Sequence, residues 1–158
     1  MTKKVMIGSV AVGGGEKVKI QSMTTCKTSD IEKCAAQTNA LAAAGCEIIR
    51  YAVLDEADAY AIKTLKTKVS IPIVADIHFS PRLAVLAVEN GADKLRINPG
   101  NIGGEREIAL VADCIKAHHI PVRVGANTGS IEKQFFARYG RSAQALAESA
   151  LYNAAILE

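Results

Sequence analysis

The sequence has no tryptophan, and aromatics make up only 4% of it, so it offers little on which nucleic-acid bases could stack. No apolar run reaches the ~20 residues of a membrane-spanning helix. Lys3-Lys4 followed by Val5–Val12 imitates a secretion signal in outline only. Gly8, Ser9 and the run Gly13-Gly14-Gly15 interrupt it, and no small-residue cleavage site follows, so it reads as a strand. Cysteine is scarce, four in 158 residues. Cys26, Cys34, Cys46 and Cys114 form no C-x-x-C pair and show no zinc or cluster spacing, so no metal site is expected. They read as free thiols of a cytoplasmic protein. Cys26, in a loop after a strand, is the one candidate for reactivity. No G-x-G-x-x-G follows the first main strand, which removes the fingerprint of a dinucleotide-binding fold. A net charge of +3 is mild: it favours anionic ligands slightly and says little about nucleic acid.

What is present is a repeating device. In Lys94-Leu95-Arg96-Ile97-Asn98, apolar and polar residues alternate with the period of a strand. Asp76 and His78 alternate with Ala75 and Ile77. Arg123 and Asn127 alternate with Val122, Val124 and Ala126. Arg50 lies in Ile48–Val53. Each of these runs carries charge or amide on one face near its carboxyl end.

Helical patterns separate the runs. Val5–Val12 and Val18–Met23 flank the glycine run and predict a hairpin turning there, with Lys19–Met23 continuing as the first main strand. Ser29-Asp30-Ile31-Glu32 has capping-box spacing, and Gly45 ends the helix it starts. Asp55 caps a second helix. Ser80-Pro81 begins a third, closed by Asn90-Gly91. A fourth runs from Glu105, a short one from Ser130 to about Gly140, and a last one from Ser142. The order predicts an α/β fold, a partial TIM-like (β/α) barrel: an N-terminal β-hairpin, then about five βα units where a full barrel has eight. The whole chain, 1–158, reads as one domain.

In a barrel, residues at the carboxyl ends of several strands face one site. Three arginines there, Arg50, Arg96 and Arg123, would repel pairwise by roughly 3 kcal/mol at ~6 Å and an effective dielectric of ~20. They require an anion, and guanidinium forks suit phosphate oxygens. The turn Asn98–Gly104 opens a helix and adds backbone N–H groups. Asp76 and His78 suit either an orienter with a proton donor or a polar network filling the barrel mouth. Asn98 and Asn127 suit hydrogen bonds to a polyol, or capping of their own turns.

Several blocks carry a family resemblance. These are Gln21-Ser22-Met23-Thr24, Ile49-Arg50, Val74 to Phe79, Leu95 to Gly103 and Val124 to Ser130. Together they resemble bacterial 4-hydroxy-3-methylbut-2-enyl diphosphate synthase of the non-mevalonate isoprenoid pathway. The resemblance runs from about Val10 to Glu158 with no obvious gap, and its Asp76–Phe79 and Arg96–Gly103 blocks are specific together. It implies an oxidoreductase that reductively opens 2-C-methyl-D-erythritol 2,4-cyclodiphosphate using a [4Fe–4S] cluster held by a separate C-terminal domain. It implies Arg50, Arg96 and Arg123 on the diphosphate, and Asp76, His78, Asn98 and Asn127 beside the substrate. Flavodoxin or ferredoxin would supply electrons to a head-to-tail homodimer.

The sequence departs from the family's usual pattern at Thr25, Cys26 and Tyr51, where Asn, Thr and a small aliphatic residue are usual. The last three barrel strands, a phosphate-contacting lysine and the cluster cysteines have no counterpart. The expectation is therefore an N-terminal barrel fragment that binds no cluster and is inactive alone. Two other readings are another phosphate-binding barrel, such as a pterin-binding synthase, and a non-catalytic half-barrel binding module.

Overall fold

The computed structural model describes residues 2–158, with Pro99 and Gly100 described in backbone only. The chain begins with an antiparallel hairpin, β1 (Val5–Ile7) and β2 (Val10–Val12). Then follow β3 (Gln21–Met23), α1 (Ile31–Ala43), β4 (Ile48–Val53), α2 (Glu56–Lys68), β5 (Ile73–Ile77) and α3 (Pro81–Glu89). Next come β6 (Lys94–Ile97), the single turn α4 (Pro99–Ile102), α5 (Glu105–Ala117), β7 (Val122–Val124), α6 (Lys133–Tyr139) and α7 (Ala143–Leu157). The main sheet is parallel with its strands in sequence order, β3-β4-β5-β6-β7. This is the expected series of βα units.

Registered residues of a parallel pair point to the same side, as do residues two apart on one strand. One face of the sheet therefore carries Ile49, Tyr51, Val53, Ile73, Ala75, Ile77, Leu95 and Ile97. All are buried in one core with Cys34, Ala35, Ile62, Leu65, Ala84, Ala87, Ile108 and Val111 of the helices. Helices thus cover that face, and successive helices pack side by side. Tyr51 is fully buried there because its hydroxyl meets Thr38 Oγ1 of α1 at 2.7 Å. A buried phenol needs such a partner.

On the opposite face the hairpin covers the amino ends of the strands. Ile7, Val10 and Val12 pack on Ile48 and Val74. This corrects the expected hairpin. Its turn is Gly8-Ser9, not the glycine run, and the pairing is Val5 with Val12 and Ile7 with Val10. Gly8 has φ +53°, and a Cβ there would press on Asp93 and Pro72, so the turn needs glycine for conformation and for space. Gly13-Gly14-Gly15 form a separate turn, closed by Glu16 N–H donating to Gly13 O.

The helix signals hold with two exceptions, Ser29 and Ser130, the second because α6 starts at Lys133 with Glu132 as its N-cap residue. Ser80, Asp55 and Ser142 each accept a backbone N–H three residues on. Ser29 does not cap α1. Asp30 is the N-cap residue, and the Ser29 N–H is held by Asp58 Oδ1 at 2.8 Å. No helix among the described residues is long and apolar enough to cross a membrane.

Candidate functional site

The face left free of helices carries the polar residues. Asp76 registers with Ala52 and Arg96, Arg96 with Arg123, and Arg50 with Met23. Met23, Arg50, Asp76, Arg96 and Arg123 therefore share one side, above the hairpin and toward the carboxyl ends of their strands.

Asp76 is the hub. It is fully buried. Arg50 Nη2 approaches its Oδ2 at 2.7 Å, and Arg96 Nη1 donates to its Oδ1 at 3.1 Å. The repulsion expected between these two arginines is thus relieved from within the chain, by a carboxylate between them. Arg50 meets Asp76 as an ion pair off the hydrogen-bond axis, which leaves the buried Arg50 Nε and Asp76 Oδ2 without a hydrogen-bond partner. His78 Nε2 lies 3.4 Å from Asp76 Oδ2, within ion-pair range. Its ring neighbours the exposed Phe79 at 5.9 Å between centroids.

Arg123 stands in register with Arg96 but is exposed. It shares this side of the sheet without joining the Asp76 cluster, so the structure brings together two of the three expected arginines. Lys94 was missing from the sequence-based set. It precedes Arg96 by two on the same face and lies half-buried. Burial first, then the Arg123 charge, hold its ammonium below the usual lysine range. Its signal was its parity with Arg96. Among the described residues, four cations on this face are offset by the single carboxylate of Asp76.

Asn98 and Asn127 meet through Ser130, a residue the sequence reading used only as a helix start. The Ser130 hydroxyl donates to Asn98 Oδ1 at 2.8 Å and lies 3.2 Å from Asn127 Oδ1. Asn98 is buried. Asn127 Oδ1 also accepts Gly129 N–H at 3.2 Å, so it closes its own turn, one of its two expected roles. The loop Thr24–Asp30 is tied down by Thr28 Oγ1 donating to Ala52 O at 2.6 Å and by Asp58. It borders a cavity of about 450 Å³ lined by Met23, Cys26, Ala52 and Leu54.

Two of the thiols meet although no C-x-x-C spacing links them: the Sγ of Cys34, on α1, lies 2.8 Å from that of Cys26. Cys46 donates instead to Ile48 O, and Cys114 neighbours His118. Among the described residues no three of His, Cys, Asp and Glu gather as a metal centre would need, so these residues do not fit an iron–sulfur cluster.

Comparison with known proteins agrees with the fold. The GcpE TIM-barrel domain matches residues 2–158. The 4-hydroxy-3-methylbut-2-en-1-yl diphosphate synthase (flavodoxin) of Caldicellulosiruptor saccharolyticus is 52% identical over 100% of this chain and 46% of its own length. That of Bacillus subtilis is 49% identical over 99% of this chain and 42% of its own. The chain thus spans less than half the length of these relatives. The dihydropteroate synthase of Yersinia pestis superposes with a TM-score of 0.61 over 96% of this chain and 58% of its own. At 10% identity that likeness speaks for the barrel architecture alone. On the domain match and the identity of its relatives, this chain belongs to the GcpE TIM-barrel family.

Proposed function

We propose that this chain forms the N-terminal part of the substrate-binding barrel of a 4-hydroxy-3-methylbut-2-enyl diphosphate synthase, an oxidoreductase of isoprenoid biosynthesis. Its ligand is 2-C-methyl-D-erythritol 2,4-cyclodiphosphate. The observation that carries the reading is the Arg50–Asp76–Arg96 unit on a face with two further cations, Lys94 and Arg123. Asp76 fixes the guanidinium groups in advance, so little side-chain entropy is lost when an anion arrives. The partly exposed Arg50 guanidinium and the exposed Arg123 offer donors to phosphate oxygens. Asn98, oriented by Ser130, and Asn127 flank the position of the carbon skeleton. His78, beside Asp76, is placed to hold or deliver a proton to the oxygen that leaves.

Ring opening with loss of that oxygen as water consumes two electrons and two protons. Arg50, Asp76, His78, Arg96, Asn98, Arg123 and Asn127 carry no redox-active group, so these residues bind, orient and protonate. Electron delivery, from reduced flavodoxin or ferredoxin by way of an iron–sulfur centre, belongs to other parts of the complete cytoplasmic enzyme and its homodimer.

Titration calorimetry with the cyclic diphosphate and with inorganic phosphate tests the reading, on this chain and on the longer protein. The cyclic diphosphate should bind in preference. Arg96→Ala should weaken it by roughly 1.5–3 kcal/mol, the worth of a charge-assisted hydrogen bond, and the exposed Arg141→Ala should change nothing. Equal losses from both variants would reduce the site to net charge, and a flat response to both ligands in the longer protein would refute it.

A further inference from the structure

The sulfur atoms of Cys26 and Cys34 are 2.8 Å apart, less than an ångström beyond the ~2.05 Å of a disulfide bond. Both are free thiols. From this contact we infer that Cys26 and Cys34 are a reversible thiol–disulfide site at the rim of the cationic face, oxidised by exchange with a low-molecular-weight disulfide.

The two thiols are unequal, and the inequality sets the order of events. Cys26 is half-buried and lines the rim cavity, where a small reagent can reach it. Cys34 is fully buried, and its Sγ donates to Lys27 O at 3.2 Å. Burial, and then the adjoining Cys26, push the Cys34 thiol up to about 12. Cys26, the accessible thiol of the pair, therefore gives up its proton as it attacks one sulfur of the external disulfide. That S–S bond breaks, one external thiolate leaves and takes a proton, and a mixed disulfide remains on Cys26. Cys34 then attacks the Cys26 sulfur and gives up its proton, and the second external thiol departs. Two protein thiols are oxidised and one external disulfide is reduced to two thiols, so no other electron acceptor is required. Cys34 relies on contact rather than on thiolate population for the second step.

The bond would fasten the loop after β3 to the first turn of α1. That loop begins at Thr24, whose N–H is held by Arg50 O at 3.2 Å, so the oxidised form stiffens the rim beside Arg50. Cys46 and Cys114 have no thiol neighbour: the first is buried against Ile48 O, the second beside His118. The inference stands independently of the diphosphate reading.

The test is incubation of the folded chain with glutathione disulfide, followed by thiol counting under denaturing conditions and peptide mass mapping. Two of the four thiols should be lost, with the Cys26 and Cys34 peptides linked, and dithiothreitol should restore both. Cys34→Ser should stop the reaction at a glutathione adduct on Cys26. Cys46→Ser combined with Cys114→Ser should leave the linkage intact. The inference is overturned if Cys26 and Cys34 stay free, if each carries its own glutathione, or if they link only after the chain is unfolded in urea.

Discussion

Gly125 lies against the guanidinium of Arg96 so closely that a Cβ at Gly125 would sit 2.9 Å from Arg96 Nε and 3.1 Å from Nη2. Its φ is not in the left-handed region, so what glycine supplies here is space for the Arg96 guanidinium and not conformational freedom. The backbone is fixed from the other side, with Gly125 N–H donating to Ile97 O at 2.9 Å.

Gly125→Ala should therefore act through Arg96. The added methyl either strains the strand end, at about 1–3 kcal/mol for an overpacked site, or swings Arg96 away from Asp76. A lowered urea midpoint or weakened cyclic-diphosphate binding is the expected result. A variant unchanged in both measurements would show that the close approach is relieved without cost.

Asp76→Asn removes the charge that holds two guanidinium groups while keeping the side chain's shape. Breaking a buried pair by neutralising one partner costs about 3–5 kcal/mol. Arg50 and Arg96 keep side-chain exposures of 25% and 17%, and solvent screening should reduce the loss to about 2–3 kcal/mol. Urea denaturation at neutral pH measures it. A loss below that of a typical surface substitution would mean that the arginines find water as good a partner as Asp76.

Tyr51 gives the fold a signature at alkaline pH. Burial raises its phenol from 10.0 to about 12, against the opposing hydrogen bond from Thr38. In that interval the folded state keeps a proton that the unfolded state has released. The stabilisation is present below pH 10 and is lost as pH rises toward 12. Two pH units correspond to roughly 2–3 kcal/mol at most. Stability measured from pH 9 upward should fall faster in the natural protein than in Tyr51→Phe. The variant should in turn be less stable at neutral pH by about 1 kcal/mol, for the hydrogen bond it lacks. Parallel curves for the two proteins would count against a buried, protonated phenol.

Much of this arrangement was legible in the residues. Alternation in β4, β5 and β6 placed Arg50, Asp76 and Arg96 on one face, because a strand has only two sides. Ser80-Pro81 and Asn90-Gly91 bounded α3 because capping chemistry is local. The hairpin was misplaced because three consecutive glycines are a louder turn signal than Gly8-Ser9. What decided the matter was burial of Ile7 on Ile48 and Val74, a contact far away in sequence. Lys94 was not legible because its half-burial and its nearness to Arg123 arise only when the strands pair. The meeting of Cys26 with Cys34 was hidden because the loop's return over α1 depends on Thr28 finding Ala52 of β4 and on Asp58 of α2 accepting the Ser29 N–H.

The cysteine geometry also sets the outcome of cluster reconstitution. A [4Fe–4S] centre needs thiolates converging from several directions on one point. Cys26 and Cys34 supply two sulfurs already in contact with each other, too close to span a cluster without the loop opening. Cys46 is buried under the start of β4, and Cys114 is on α5, so neither joins them. Anaerobic incubation of this chain with iron and sulfide should therefore give no stable charge-transfer absorption after desalting, and no turnover of the cyclic diphosphate with a chemical reductant. Activity that appears only when a chain carrying the remaining length of the relatives is added would fit the division of labour proposed above. A reconstituted absorption that survives desalting here, and disappears in Cys26→Ser, would instead locate a cluster at the rim and overturn that division.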